Sequence, residues 1–379
     1  MGEMREKDDG EGMSGTREEL TGVPGLARLV VVDRTGSTND DLRSALTGVD
    51  GRLDLRAAAA WPHISALWAR RQDAGRGRAG RRWITPPGSA LTVSFVLRPL
   101  VPAAALAWLP LLAGLAARDV VDAILISARA PWRARTKWPN DVVLVPNERA
   151  GEGTAAGAST GAGTGGGAGD AAVPVPAEIP GWGRARKVAG VLAELIPTAG
   201  GIGARTSAGT TGTADASGAV AAGAADAPGA VGAAGAPGGG GAVGADRGAA
   251  CAVVLGIGVN TGQSESELPV PWATSLRLAG ARVEPRALLE PLSARLDELV
   301  TAWEAGEGDP DAGDGALGAA LRRACTTLGR RVRVDAPGGV LRGTAVDIAP
   351  GLVLRGADGT MRTVDAGDVS HVRTDGAVD

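Results

Sequence analysis

The chain has 379 residues and a formal net charge of −3, and its composition is unusual, with 60 glycines, one phenylalanine and no tyrosine. This charge balance argues against a general nucleic-acid binder that works through a long basic face. No apolar run is long enough to span a membrane, and the charged N-terminus lacks the apolar core of a signal peptide, so a soluble cytoplasmic protein is predicted. Cys251 and Cys325 stand in apolar contexts without metal-type spacing, which indicates buried, reduced thiols.

Much of the glycine is concentrated in two low-complexity tracts, at about 147–184 and 198–249. Both tracts have too few apolar side chains to offset the entropy cost of ordering them. They fall between predicted strands, so we interpret them as expanded hairpin loops within one domain. Residues 1–24 are charged and without periodicity, and are predicted to be a flexible tail. The remainder divides into a main domain at 25–327 and a small domain at 328–374.

Apolar patterns predict the elements of the main domain. Ser37 and Thr38 are good N-caps for a helix that runs to about Leu46. A second helix, from Pro285, carries a strict stripe of leucines and ends near Trp303, and a shorter one follows. The remaining predictions, in chain order, are strands at Leu26–Val32, Ile64–Ala69 and Ala90–Leu97, a long helix at Leu106–Ile126 with Pro110 near its start, strands at Val142–Val145, Lys187–Ile196 and Ala252–Val259, and the short helix at Leu317–Leu328.

The sequence pattern of the C-terminal region differs from that of the main domain, because short predicted strands are separated by Pro-Gly, Asp-Gly and Ala-Gly turns. Five short strands with tight turns are typical of a small barrel. The predicted strands are Arg331–Val334, Val340–Ile348, Leu352–Arg355, Met361–Val364 and Val369–Val372.

Residues 70–88, which read RRQDAGRGRAGRRWITPPG, hold the most informative stretch of the chain. Glycine lets the backbone approach a ligand closely, and arginine supplies a permanent charge with a fork of donors that matches carboxylate and phosphate. These residues fit a loop that closes over a small anionic ligand. No Gly-Lys-Ser/Thr follows, so the stretch is not a P-loop. A solvated basic loop, or a segment that touches nucleic acid, is the alternative from composition alone.

Five motifs in this order resemble biotin protein ligase, also called biotin–[acetyl-CoA-carboxylase] ligase. They are GSTN at 36–39, QDAGRGRAGRRW at 72–83, KWPND at 137–141, KVAG at 187–190 and GIGVN at 256–260. The resemblance implies an α+β fold: a mixed sheet with helices packed on one side, as in class II synthetases, followed by a small SH3-like β-barrel. Some relatives carry an N-terminal DNA-binding domain, and too few residues precede the first strand here for one to be expected.

The resemblance also implies a two-step reaction. Biotin and ATP give biotinyl-5'-AMP, and a lysine of a biotin carboxyl carrier domain then attacks it, with Mg²⁺ balancing the pyrophosphate. A carboxylate that attacks an α-phosphate must approach another anion, so fixed cations are needed.

The family pattern transfers to individual residues. It implies four catalytic residues, with Asp141 orienting the carrier lysine, and it implies no protein metal site. The catalytic set is Lys187, Arg78, Asp141 and Lys137. The biotin-binding set is Ser37, Thr38, Asn39, Gln72, Gly75, Arg76, Gly77, Arg78 and Lys187. The nucleotide-binding set is Arg76, Arg81, Trp83, Asn140 and Asn260.

Two features depart from the family pattern, namely Ala79, where a further basic residue is frequent, and the two tracts. A lipoate or octanoate ligase shares the fold and a catalytic lysine, and it is the main alternative. A nucleic-acid-binding module that uses the arginine loop and the barrel is a second one, and it predicts steeply salt-dependent binding. The sequence leaves the oligomeric state open.

Overall fold

The computed structural model describes residues 5–6, 13–147, 176–198, 251–365 and 367–371. Within these residues a nine-stranded mixed sheet is followed by a five-stranded antiparallel sheet. The larger sheet consists of β1 (Arg5–Glu6), β2 (Met13–Leu20), β3 (Arg28–Thr35), β4 (Ser65–Ala69), β5 (Ala90–Leu97), β6 (Trp132–Lys137), β7 (Asp141–Pro146), β8 (Arg186–Pro197) and β9 (Cys251–Asn260). The smaller one consists of β10 (Arg331–Ala336), β11 (Gly339–Ala349), β12 (Gly351–Arg355), β13 (Met361–Val364) and β14 (Asp368–His371).

The larger sheet has the strand order β1-β2-β3-β4-β5-β9-β8-β7-β6. The pair β3–β4 is parallel and every other neighbouring pair is antiparallel. Because β7, β8 and β9 are direct neighbours, the two tracts connect adjacent antiparallel strands, as predicted. Residues 148–175 and 199–250, which make up most of the tracts, lie outside the described residues.

Alternating side chains of the sheet form two separate cores. Phe95 and Ile257 face the two long helices, α3 (Leu109–Ser127) and α4 (Pro285–Ala305), which cover one side of the sheet as predicted. Pro110 lies in the first turn of α3, where its missing N–H costs nothing. The opposite face carries Val30 and Val32. There the short helices α1 (Thr38–Leu46) and α2 (Leu55–Ala59) contribute Leu42, Leu46 and Ala58 to the second core.

The predicted flexible tail is wrong for residues 13–20, because β2 pairs antiparallel with β3. The prediction failed because β2 (MSGTREEL) has no apolar alternation. A polar strand can still form near the edge of a sheet, where the backbone of β3 supplies its hydrogen-bond partners.

The five short strands near the C-terminus are confirmed, in the order β13-β12-β11-β10-β14. Helix α5 (Ala316–Ala324) leads into them from the main domain. None of the helices in the described ranges is both long and apolar enough to cross a membrane.

Candidate functional site

A cavity of about 620 Å³ lies on the face of the larger sheet that carries α1. Its floor is built from central strands whose side chains on this face are small. Thr92 and Ser94 of β5 pair with Gly258 and Gly256 of β9, and Gly190 of β8 continues the same row. A Cβ at Gly258 would lie 2.5 Å from the Trp83 ring, so a larger residue there would displace that ring. Small residues at these positions leave room for a ligand above the sheet.

The N-terminus of α1 and one glutamine close one end of the cavity with hydrogen-bonding groups. Ser37 caps α1, and its hydroxyl accepts from the Asp40 N–H at 3.4 Å. Gln72 Oε1 accepts from the backbone N–H of Thr38 at 2.8 Å and from its hydroxyl at 3.0 Å. Ser37, Thr38 and Asn39 are all buried. This end therefore presents several uncharged donors and acceptors to a small polar group.

A β-bulge directs Lys187 into the cavity. Val142 pairs with Ala189 and Val143 pairs with Lys187, which leaves Val188 as the extra residue in β8. Val188 is buried in the core beneath α3, and Lys187 turns toward the opposite face. Lys187 Nζ lies 2.6 Å from Asp141 Oδ1. The bulge thus places a cation beside a carboxylate within the cavity.

The arginine-glycine loop, residues 72–83, covers the cavity. Arg78 donates to Asn140 Oδ1 at 3.3 Å, and burial lowers the pKa of its guanidinium from the usual value although Asp368 and Asp141 act against this shift. Arg76 pairs with Asp40 and lies 3.3 Å from Glu194. Arginine stays protonated in proteins, so the loop brings permanent positive charge over the floor.

The β6–β7 hairpin supplies a second cation. Lys137 is 4% exposed, donates to the carbonyl oxygen of Val369 at 2.8 Å, and lies 3.8 Å from the centre of the Trp182 ring. Burial lowers its pKa to about 8, with Asp141 opposing the shift. Trp138 and Pro139 of the same hairpin are joined by a cis peptide bond. The ammonium of Lys137 is thus held between the C-terminal sheet and an aromatic face.

The far end of the cavity is lined by amides and aromatic rings. Asn260 donates to the carbonyl oxygen of Thr274 at 2.9 Å and accepts from Gln263 Nε2 at 2.9 Å. The Trp83 ring lies 5.7 Å from Lys187 Nζ. Flat apolar surfaces beside amide groups suit a heterocyclic base.

Nearly all of the predicted site residues line this one cavity. Gly75 does not, because it packs beneath the loop, where a Cβ would lie 2.5 Å from the carbonyl oxygen of Trp83. Its role is therefore to let the loop backbone approach Trp83. The predicted residues on the cavity wall are Ser37, Thr38, Asn39, Gln72, Arg76, Gly77, Arg78, Arg81, Trp83, Lys137, Asn140, Asp141, Lys187 and Asn260.

Several lining residues were missed from the sequence. Trp182 stacks on Trp272 with 5.8 Å between ring centres and an interplanar angle of 10°. Trp182 lies within the predicted first tract, whose residues 176–184 have a defined turn in the structure. A tryptophan at the end of a glycine-alanine tract was the signal available there. Asp368 comes from the C-terminal sheet and forms a double hydrogen bond with Arg81 at 2.9 and 3.1 Å, which no local pattern indicates.

Comparison with protein families gives two matches. Residues 53–204 match the biotin/lipoate A/B protein ligase family, and residues 327–372 match the biotin protein ligase C-terminal domain. The second match spans the five-stranded sheet and agrees with the expected SH3-like module.

Individual relatives agree with the family matches. Biotin–[acetyl-CoA-carboxylase] ligase of Mycobacterium tuberculosis is 28% identical over 364 residues, which is 94% of each chain. The enzyme of the same name from Paracoccus denitrificans is 38% identical over 118 residues, covering 31% of this chain and 42% of that protein. The structure of biotin protein ligase from Aquifex aeolicus in complex with biotin and ATP has a TM-score of 0.51 and 18% identity, covering 91% of this chain and 99% of that one, which shows a shared fold. Residues 53–204 thus belong to the biotin/lipoate A/B protein ligase family, and residues 327–372 form the C-terminal domain found in biotin protein ligases.

Proposed function

We propose that the protein is a biotin protein ligase, which activates biotin with ATP as biotinyl-5'-AMP and transfers the biotin to a lysine of a carrier domain. The observation that carries this proposal is that one cavity has an uncharged hydrogen-bonding end and also the cations Arg76, Arg78 and Lys187. The names of the M. tuberculosis and P. denitrificans relatives support the same activity.

The uncharged end of the cavity binds the biotin head group. A cyclic urea has two N–H donors and one strong carbonyl acceptor, and it needs fixed partners of both kinds. Thr38, Asn39 and Gln72 provide hydroxyl and amide groups held in position by hydrogen bonds among themselves and with Ser94. When the cyclic urea of biotin is buried at this end, each of its donors and acceptors has a hydrogen-bond partner.

The first chemical step takes place beneath the arginine-glycine loop. A carboxylate oxygen of biotin attacks the α-phosphorus of ATP, and the bond from that phosphorus to the pyrophosphate oxygen breaks. Arg78 and Lys187 lower the repulsion between the two anions and stabilise the charge that develops on the phosphate oxygens. Arg78 is half-buried, which strengthens each of these interactions relative to bulk water.

The second step uses the same cations to hold the mixed anhydride while the carrier lysine attacks its carbonyl carbon and AMP leaves. The attacking amine must be neutral, so a proton acceptor beside the anhydride is needed. We assign this role, together with orientation of the incoming amine, to Asp141, whose carboxylate lies in the cavity 2.6 Å from Lys187 Nζ. The proposed carrier is the biotin carboxyl carrier domain of acetyl-CoA carboxylase or a related carboxylase, in the cytoplasm.

A magnesium ion fits this cavity as a companion of the nucleotide. Mg²⁺ usually keeps several waters and binds one or two carboxylates together with phosphates. Among the described residues no three potential ligands converge on one point, so the protein would supply only one or two carboxylate oxygens, from among Asp141, Glu267 and Asp368 on the cavity wall. When bound, the ion would neutralise charge on the leaving pyrophosphate.

Isotope exchange between pyrophosphate and ATP tests the assignment. The purified protein should catalyse exchange when biotin is added, and should not do so with lipoate or octanoate at the same concentration. Exchange that depends on lipoate or octanoate instead would assign the chain to the other branch of its family.

A further inference from the structure

Glu194 of β8 is a partly buried carboxylate beside the floor of the cavity. Its side chain is 13% exposed, and it is absent from the residues that line the cavity. Its position follows from the alternation of β8: Gly190 and Leu192 contribute to the floor, and Glu194 is the next residue on the same face. A carboxylate in such a place is costly unless its oxygens are paired.

One carboxylate oxygen fixes the orientation of the Asn39 side-chain amide. Asn39 Nδ2 donates to Glu194 Oε2 at 2.8 Å and, over a longer distance of 3.4 Å, to the carbonyl oxygen of Leu192. An ionised carboxylate can only accept, so this bond requires the amide nitrogen to face Glu194 and the amide oxygen to face the cavity floor. Asn39 Oδ1 accepts from the Ser94 hydroxyl at 2.6 Å.

The orientation of the Asn39 amide also fixes the orientation of the Ser94 hydroxyl. Ser94 has a single hydroxyl proton, and the bond to Asn39 uses it. Ser94 Oγ is therefore an acceptor toward Thr38, whose hydroxyl oxygen lies 2.7 Å away, and the single Thr38 proton is shared between Ser94 Oγ and Gln72 Oε1, which lies at 3.0 Å. The floor next to Ser94 and Asn39 thus has a defined direction of hydrogen bonding, and the shorter of the two bonds that set it comes from Glu194, outside the cavity.

The other carboxylate oxygen reaches the covering loop. Glu194 Oε1 lies 3.3 Å from Arg76 Nη1, and the same guanidinium group pairs with Asp40. A single carboxylate therefore contacts the floor through Asn39 and the arginine-glycine loop through Arg76. Binding of a ligand on the floor and the position of the covering loop therefore both depend on Glu194.

We propose that Glu194 is a positioning residue that orders the hydrogen bonds of the floor and ties the arginine-glycine loop to it. This inference rests on the proposed biotin ligase function. It predicts that removing the carboxylate weakens biotin binding and shortens retention of the adenylate, while binding of ATP is preserved.

The test compares Glu194→Ala, Glu194→Gln and Glu194→Asp with the intact protein. Glu298→Gln on α4 is the matched control, since Glu298 pairs with Arg295 and is not a lining residue. The KM values for biotin and ATP come from pyrophosphate exchange, and adenylate retention comes from its release after rapid gel filtration. Thermal midpoints show whether each variant folds.

For Glu194→Ala we expect the KM for biotin to rise about 10- to 100-fold through loss of a charge-assisted bond, and the KM for ATP to change by less than about twofold. Glutamine has one oxygen for two donors, so Glu194→Gln must lose either the Asn39 contact or the Arg76 contact. It should therefore show a raised biotin KM or faster adenylate release. Glu194→Asp should recover part of both properties, and Glu298→Gln should match the intact protein.

Three outcomes would overturn the inference: normal biotin KM and retention in Glu194→Ala and Glu194→Gln, equal rises in both KM values, or losses that follow the thermal midpoint alone. Absence of biotin-dependent exchange in the intact protein would instead remove the proposed function, and this inference with it. The two failures are therefore distinguishable.

Discussion

Lys137 shows how a single residue can be recognised from sequence while its environment cannot. The KWPND motif marked it as a site residue, and it does line the cavity. Its partners are the backbone oxygen of Val369 and the ring of Trp182, both distant in sequence. Burial lowers the pKa of Lys137 from 10.5 to about 8. That shift is a property of the assembled fold, because it depends on which segments exclude water from the ammonium group.

The lowered pKa of Lys137 predicts a pH dependence of stability. Between pH 8 and 10.5 the unfolded chain still binds the proton that the folded protein has released, so the free energy of unfolding rises with pH over this interval. Urea denaturation of the intact protein and of Lys137→Met should show this as a difference. The intact protein should gain stability relative to the variant as pH increases from about 8 to about 10. A constant difference over that range would mean that Lys137 is not desolvated.

Trp83 is predicted to contact the nucleotide. Its ring lies against the floor at Gly258, and its Nε1 has no hydrogen-bond partner within the described part of the chain. Trp83→Ala should weaken ATP binding by about tenfold through loss of aromatic contact, and should weaken biotin binding by less. Calorimetry with each ligand measures this. Equal weakening of both would indicate that Trp83 only supports the core.

Secondary-structure elements were predicted where apolar patterns were strong and missed where tertiary contacts decide. The stripe of α4 and the run AVVLGIGV of β9 identified both elements. Strands β2 and β6 were missed because they are polar and lie at or near the edges of the larger sheet, where one neighbouring strand suffices to order them. The bulge at Val188 could not be predicted from the sequence either, since it depends on the register between β7 and β8.

The arrangement of β7, β8 and β9 predicts that the tracts are dispensable. Removal of about 155–175 and 203–245, with short glycine linkers in their place, should leave the pyrophosphate exchange rate and the thermal midpoint nearly unchanged, because loop length affects stability weakly. Loss of folded protein would show that the tracts pack against the domain.

The first deletion must stop before Trp182. Because Trp182 stacks on Trp272 and faces Lys137, the full-length variant Trp182→Ala should lower exchange activity several-fold, whereas the tract deletions should not. Activity of Trp182→Ala equal to that of the intact protein would contradict a role for this aromatic pair in the cavity.

At the scale of the whole molecule, the C-terminal sheet completes the cavity. Asp368 and Val369 of β14 reach Arg81 and Lys137, and Trp138 Nε1 donates to the carbonyl oxygen of Pro350 at 3.4 Å. The sequence indicated a small β domain after residue 327, but local patterns contain no information on which of its strands meets the main domain. The family resemblance identified the parts, and the contacts between the parts come from the three-dimensional packing.

The pair Arg81–Asp368 is predicted to affect nucleotide binding more than stability. Both side chains are more than half exposed, and exposed ion pairs contribute at most about 1 kcal/mol to stability. Asp368→Asn should leave the thermal midpoint nearly unchanged and raise the KM for ATP about two- to fivefold, because Arg81 loses its anchor. The difference from the intact protein should shrink as salt is added. A salt-independent effect would point to a role other than this ion pair.

Whether this cavity activates biotin is tested most directly by mass spectrometry of biotinyl-5'-AMP formation in the intact protein and in Lys187→Met. With biotin and MgATP the intact protein should accumulate the adenylate. Lys187→Met, with an unchanged thermal midpoint, should form it about 100- to 1,000-fold more slowly, as when one preorganised charge is removed from a transition state. Adenylate formation by the folded variant at the rate of the intact protein would contradict the assignment of this cavity as the site of biotin activation.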